Sequence, residues 1–119
     1  MMMTPSQRVK RAIELFDKQG LYPRGCSDFV CDVLEIRWED ANSLLSLKSG
    51  DAPISDFSKI GIGSIIGWAN DSGSGHVAVY VNLKDAKFID VQSPGQNAKP
   101  RKLNSYGSQK LYLSNKYGF

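Results

Sequence analysis

The chain is organised around Gly25–Val30, a stretch that reads Gly-Cys-Ser-Asp-Phe-Val and places a cysteine where a helix begins. The first turn of a helix carries unpaired backbone N–H groups and the positive end of the helix dipole, and both favour an anion. A thiol at this position is stabilised as the thiolate, which is the form that acts as a nucleophile. Cys26 is therefore a candidate nucleophile, and the question is whether the chain supplies a base and an orienting group.

Length and composition favour one globular domain over residues 1–119, with 41% hydrophobic and 23% charged residues. No apolar run approaches the roughly 18 residues of a membrane span. The N-terminus lacks the pattern of a secretory signal, so we expect synthesis in the cytoplasm without a signal peptide. The net charge is +3, and its densest basic cluster, Lys99–Lys102, has no interleaved aromatic residues. We therefore expect no nucleic-acid partner.

The two cysteines predict no disulfide. Cys26 and Cys31 are five residues apart on one predicted helix, so their side chains point to different sides. Two cysteines and one histidine are also too few for a zinc site or a disulfide framework. We expect two reduced thiols and no metal or cofactor.

The sequence pattern predicts helices first and strands afterwards. Thr4 caps a helix that begins at Pro5 and ends at Gly20. A second helix begins at Cys26, and a third covers residues 39–47. After a loop, the pattern predicts strands at 64–69, 76–81, 87–92 and 109–113, a turn at 70–75 and a loop at 95–108. This order indicates an α+β fold, with N-terminal helices packed on an antiparallel β-sheet meander.

The only histidine, His76, opens the second predicted strand. If that hairpin pairs His76 with Asp90 around Leu83, both side chains lie on one face of the sheet. Gln92 lies on the same face and is the alternative third residue. A carboxylate or amide beside a histidine fixes its tautomer. The pattern predicts Cys26 as nucleophile, His76 as general base and acid, and Asp90 as the orienting group, with the Cys26 backbone N–H as an oxyanion donor.

These motifs resemble those of NlpC-type papain-like peptidases, which cut peptidoglycan stem peptides. Gly25–Val30 is similar to the family's Asp-Cys-Ser-Gly-Phe-Val helix start, and Gly63–Trp68 is similar to its Gly-Asp-Leu-Val-Phe-Phe strand. Gly75–Tyr80 resembles its His-Val-Gly-Ile-Tyr strand, and Phe88–Asp90 falls where the family carries a third polar residue, often His. The resemblance covers residues 8 to 113 and implies a papain-like NlpC-type fold.

Within that group, the short chain resembles amidase effectors of type VI secretion, which are toxins delivered into a rival bacterium's periplasm. Gly75–Val79 is similar to their Gly-His-Val-Ala-Val pattern, and Ala41–Asn42 is similar to a pair after their catalytic helix. The resemblance implies hydrolysis of stem peptides, at the D-Glu to diamino-acid bond, through an acyl-enzyme. It also implies export by a dedicated system to the periplasm or cell wall, and an immunity protein as partner.

The chain departs from the family pattern at Gly25, Asp28, Ser64 and Asp90. Asp28 places a carboxylate one turn from the thiol, which suits the helix dipole but opposes a second negative charge. The expected substrate-binding residues are Tyr22, Ser27 and Gln92.

Three alternatives remain open from the sequence. The same scaffold also supports a thiol acyltransferase or a deamidase. A non-catalytic module would keep the fold as a binding surface. A thiol-redox protein would use Cys26 and Cys31, although their spacing disfavours it.

Overall fold

The computed structural model describes residues 3–71, 75–107 and 109–119, and it is an α+β structure in which three helices precede the main sheet. The helices are α1 (Pro5–Lys18), α2 (Cys26–Leu34) and α3 (Ala41–Leu45). The strands are β1 (Leu21–Tyr22), β2 (Ile65–Trp68), β3 (His76–Tyr80), β4 (Phe88–Asp90), β5 (Gln96–Asn97), β6 (Lys99–Arg101) and β7 (Tyr112–Leu113). The predicted turn at 70–75 extends beyond the described residues, because 72–74 are not among them.

The predicted start of α1 is confirmed. The Thr4 side chain accepts a hydrogen bond from Gln7 N, and the Gln7 side chain accepts one from Thr4 N, which is a complete capping box. The last helical residue is Lys18, and Gln19 caps the helix in a left-handed conformation with φ of 52°, so α1 ends slightly before the predicted Gly20. α3 is shorter than predicted, because Asp40 caps it by accepting from Ser43 N at 2.7 Å.

The main sheet has five strands in the order β6-β4-β3-β2-β7, and every neighbouring pair is antiparallel. The strands β2, β3 and β4 form the predicted meander, but β7 returns to pair with β2 at the far edge. The prediction of a loop over 95–108 is wrong in part. β5 pairs with β1, and β6 pairs with β4. Pro100 is compatible with β6 because an edge strand leaves one side of its ladder unpaired.

The register between β3 and β4 differs from the predicted one by two residues. The observed pairs are Val79 with Ile89 and Tyr80 with Phe88. Continued by one pair, this register sets Asp90 opposite Ala78 rather than opposite His76. Because the difference is an even number of residues, the predicted common face is kept.

The sheet has two faces with separate cores. The helix-covered face packs α1, α2 and α3 against alternate strand residues, among them Ile65, Val77, Val79 and Ile89. The opposite face has a smaller cluster, formed by Ile66, Ala78, Tyr80, Phe88 and Leu111. Among the described residues, the structure has no helix of the length and apolarity needed to cross a membrane.

Candidate active site

The predicted catalytic residues lie at one end of the main sheet. β2 ends at Trp68, which pairs with His76 at the start of β3. β4 runs antiparallel to β3, so its last residue, Asp90, lies at the same end. Cys26 is the first residue of α2, which packs on the helix-covered face of this sheet. The site is therefore built where the end of the sheet meets the beginning of a helix.

Gly25, which precedes Cys26, has a backbone conformation that favours glycine. Its φ is +76°, in the region that favours glycine, and a Cβ would lie 3.2 Å from the backbone nitrogen of Pro94. The Asp28 carboxylate also has a local partner, because its Oδ2 accepts from Arg24 N at 3.0 Å. Gly25 and Asp28 therefore both shape the turn that leads into Cys26.

The structure brings Cys26, His76 and Asp90 together. His76 Nε2 lies 2.5 Å from Asp90 Oδ2, and the Cys26 side chain lies close enough to His76 to raise the pKa of its imidazole. Because Asp90 occupies Nε2, Nδ1 is the ring nitrogen that remains for the Cys26 thiol. Asp90 is fully buried and His76 is 7% exposed, whereas Cys26 is half-buried. The imidazole thus connects a buried carboxylate to an accessible thiol.

The pKa of His76 is raised to about 9. Burial alone would lower it, but the hydrogen bond to Asp90 and the electrostatic interactions with Asp90 and Cys26 outweigh burial. At neutral pH the ring is therefore an imidazolium.

The carboxylate of Asp90 has two further donors that the sequence analysis missed. Arg101 Nε donates to Oδ1 at 2.8 Å, and the Tyr106 hydroxyl donates to Oδ2. Burial and the bond to Asp90 raise the pKa of Tyr106, so its hydroxyl stays protonated and remains a donor. Both residues belong to the region interpreted as a loop, and only the pairing of β6 with β4 brings them to Asp90.

Two aromatic rings enclose the imidazole. Trp68 stacks on His76 with ring centroids 4.8 Å apart and an interplanar angle of 30°. The Tyr106 ring contacts His76 edge-on at 4.9 Å and also contacts Trp68 at 5.5 Å. These contacts limit rotation of the ring and keep it oriented between Asp90 and Cys26.

The expected substrate-binding residues have different surroundings. Ser27 is buried beside the nucleophile, and its Oγ accepts from Trp38 Nε1 at 3.0 Å. Tyr22 lies in the core of the helix-covered face, where its hydroxyl donates to Asp32 Oδ2 at 3.0 Å. Gln92 is exposed beyond the end of β4, so Asp90 rather than Gln92 holds His76. Of these three residues, Ser27 is the one adjacent to Cys26 in the chain.

Trp38 and Arg24 form an exposed feature beside the nucleophile that the sequence did not indicate. The Trp38 side chain is 45% exposed, and the Arg24 guanidinium lies 4.7 Å from the centre of its ring. The Trp38 bond to Ser27 anchors this cation–aromatic pair next to Cys26. The position of Arg24, two residues before Cys26, is the sequence feature that could have pointed to this pair.

The second cysteine has a separate environment. Cys31 is 3% exposed, and its sulfur accepts a hydrogen bond from Glu39 N at 3.3 Å. Burial raises the pKa of the Cys31 thiol. Both cysteines are free thiols, and within residues 3–71, 75–107 and 109–119 no group of three or more His, Cys, Asp or Glu side chains is arranged to hold a metal ion.

No protein-family model, curated protein or solved structure matches this chain. The fold and site define it by themselves as an α+β protein with a Cys-His-Asp constellation at one end of its sheet.

Proposed function

We propose that the chain is a cysteine hydrolase of papain-like NlpC type, an amidase or endopeptidase that uses Cys26, His76 and Asp90. The observation that carries the proposal is the position of His76. Its ring is bonded to the buried Asp90 carboxylate, and the half-buried Cys26 lies close enough to raise the pKa of that ring. A nucleophile, a base and a group that orients the base are the three parts that covalent acyl transfer requires.

The reaction begins with a Cys26 thiolate and a His76 imidazolium. The thiolate attacks the carbonyl carbon of an amide, and the negative charge moves to the carbonyl oxygen. Donors for that oxygen are available at the start of α2, where Gly25, as N-cap, makes no side-chain capping bond. His76 then donates its proton to the leaving amine, which gives an acyl-enzyme and a neutral imidazole.

The second half of the reaction reverses the role of His76. The neutral ring takes a proton from a water molecule, and the resulting hydroxide attacks the thioester carbonyl. The tetrahedral intermediate formed by this attack then collapses. Its carbon–sulfur bond breaks, a carboxylic acid is released, and the Cys26 thiolate and His76 imidazolium are restored. Asp90 keeps the ring in the orientation that both steps need, because its bond fixes Nε2 as the donor side.

The proposed substrate is a peptidoglycan stem peptide, cleaved at the D-Glu to diamino-acid bond. The similarity of Gly25–Val30 and Gly75–Tyr80 to the family motifs supports this choice. The net charge of +3 also favours approach to an anionic polymer. In this proposal the protein is an antibacterial effector that a dedicated secretion system exports, and an immunity protein in the producing cell covers the site.

Digestion of purified peptidoglycan tests the proposal. We expect the wild-type protein to release fragments whose masses correspond to hydrolysis within the stem peptide. Cys26→Ala should release none, whereas Cys31→Ala, which removes the buried thiol, should release the same fragments once corrected for its folded fraction. Equal release by Cys26→Ala, or no release by the wild type from walls of several chemotypes, contradicts the proposed function.

Two simpler measurements separate the alternatives. An acyltransferase would give a transferred acyl product with an added amine, and a deamidase would change the fragment mass by about one unit without cleaving the peptide. A binding module needs no reactive thiol. We therefore expect iodoacetamide to modify Cys26 rapidly at pH 6 to 7, in wild type but not in Cys26→Ala. A slow reaction typical of an unactivated thiol would favour the binding module.

A further inference from the structure

The Asp90 carboxylate has donors from three parts of the chain. His76 comes from β3, Arg101 from β6, and Tyr106 from the segment that follows β6. Asp90 is fully buried and the Arg101 side chain is 18% exposed. A buried carboxylate of this kind requires charged or polar partners.

The partners compete for the same negative charge. Tyr106 donates to Oδ2, which is also the oxygen that faces His76 Nε2, and Arg101 donates to Oδ1. Each additional donor withdraws electron density from the carboxylate and weakens its hold on the proton of the imidazolium. Arg101 also adds a positive charge close to the ring, and a like charge disfavours the protonated form.

We propose that Tyr106 and Arg101 are positioning residues that act through Asp90 to limit the proton affinity of His76. The catalytic meaning of this proposal rests on the proposed function. His76 must give its proton to a leaving amine, and a ring that binds the proton too tightly is a poor general acid near neutral pH. Tyr106 and Arg101 therefore keep the imidazolium acidic enough to act, while Asp90 and Cys26 keep it charged.

Among residues 3–71, 75–107 and 109–119, the titratable or charged groups around His76 are few, which makes the effect measurable. They are the Cys26 thiol from α2, the Asp90 carboxylate from β4, and the Tyr106 hydroxyl and Arg101 guanidinium, which reach it through Asp90. Trp68 stacks on the ring but carries no titratable group. The chain has a single histidine, so its imidazole proton signals in an NMR spectrum come from one residue.

The test is an NMR pH titration of the His76 ring in the full-length protein. In Tyr106→Phe we expect the pKa of His76 to rise by about half a unit, and in Arg101→Gln by about one unit. Arg101→Lys keeps the positive charge, so the pKa of His76 in this variant should lie close to the wild-type value. Tyr80→Phe is the matched control, because Tyr80 lies in the core of the opposite face and its hydroxyl bonds to Phe57 O instead of Asp90.

A His76 pKa that stays unchanged or falls in folded Tyr106→Phe overturns the proposal. An equal shift in Tyr80→Phe also overturns it, because the effect would then be structural. Tyr106→Phe removes only one hydroxyl, so it decides the question if Arg101→Gln fails to fold. The titration needs no substrate. If the pKa of His76 shifts as expected but the wild-type protein digests no peptidoglycan, the role of Tyr106 and Arg101 is upheld and the hydrolase proposal is rejected. If the wild-type protein digests peptidoglycan but the pKa of His76 does not shift, the hydrolase proposal is upheld and the role of Tyr106 and Arg101 is rejected.

Discussion

The two faces of the main sheet differ in composition, and the candidate site needs both. The helix-covered face is almost entirely aliphatic and is sealed by the three helices. The opposite face has a smaller core, and it continues into the polar network of His76, Asp90, Arg101 and Tyr106. Cys26 comes from a helix on the first face, whereas the proposed base and orienting group come from the second. The helix-covered face therefore supplies the proposed nucleophile and most of the packing, and the opposite face supplies the proposed base and its polar network.

His76→Ala is the strongest test of that division. Removing the ring from the opposite face should lower amide hydrolysis by about a thousandfold, because the variant loses both the base and the proton donor. It should also slow alkylation of Cys26 at pH 6, where the imidazolium is the nearby cation. Peptidoglycan digestion and iodoacetamide kinetics measure the two effects. Retained hydrolysis in a protein with an unchanged circular dichroism spectrum would show that the opposite face does not supply the chemistry.

Leu45→Ala tests the contribution of the helix-covered face to stability. Leu45 belongs to α3 and is fully buried in the helix-covered core. The substitution should lower the free energy of unfolding by about 2 to 5 kcal/mol, because it leaves a cavity. Urea denaturation measures this loss, and at a temperature where the variant is folded its kcat should be within about twofold of wild type. A large loss of kcat in the folded variant would break the division between the faces.

The pH dependence of stability sharpens the same comparison. The pKa of His76 is raised from 6.5 to about 9, so folding favours the imidazolium. This stabilisation is fully present below pH 6.5, and it is lost as the pH rises through about 9. The full shift corresponds to roughly 3 kcal/mol. Urea unfolding between pH 6 and 9.5 should show the loss in wild type and not in His76→Gln, and equal slopes in the two proteins would refute it.

Thr4→Ala should have the smallest effect. It removes one half of the capping box of α1, far along the chain from the site. The free energy of unfolding should fall by about 1 kcal/mol without a change in activity. Ser6→Ala in the same exposed turn is the matched control and should cost less. A loss of hydrolysis in Thr4→Ala would show that the two faces are coupled through α1.

The helix-covered face was largely predictable from local patterns. The capping residues Thr4 and Pro5 and the start of α2 at Cys26 lie where the sequence predicted them. Helix periodicity and capping depend on residues within a few positions of one another, so a sequence carries them directly. The alternation in β3 and β4 likewise placed His76 and Asp90 on one face, although the register differed by two residues.

The partners of Asp90 depended on contacts that no local pattern contains. The segment with Arg101 and Tyr106 has the glycine, asparagine and proline content of a loop, and its short edge strand forms only by pairing with β4. Tyr22 was expected to line the cleft before Cys26, and the structure shows that its ring packs on Phe29 and its hydroxyl donates to Asp32. These two contacts also depend on how the chain folds around α2.

Local sequence patterns were enough to predict the α+β order, the helix that begins at Cys26, the strand that begins at His76, and the common face of His76 and Asp90. These features follow from capping, periodicity and alternation, which act over a few residues. The tertiary structure added the hydrogen bonds by which Arg101 and Tyr106 complete the partners of the Asp90 carboxylate. The physical reason is that a buried charge takes its partners from whichever elements the fold packs beside it, however distant they are in the chain.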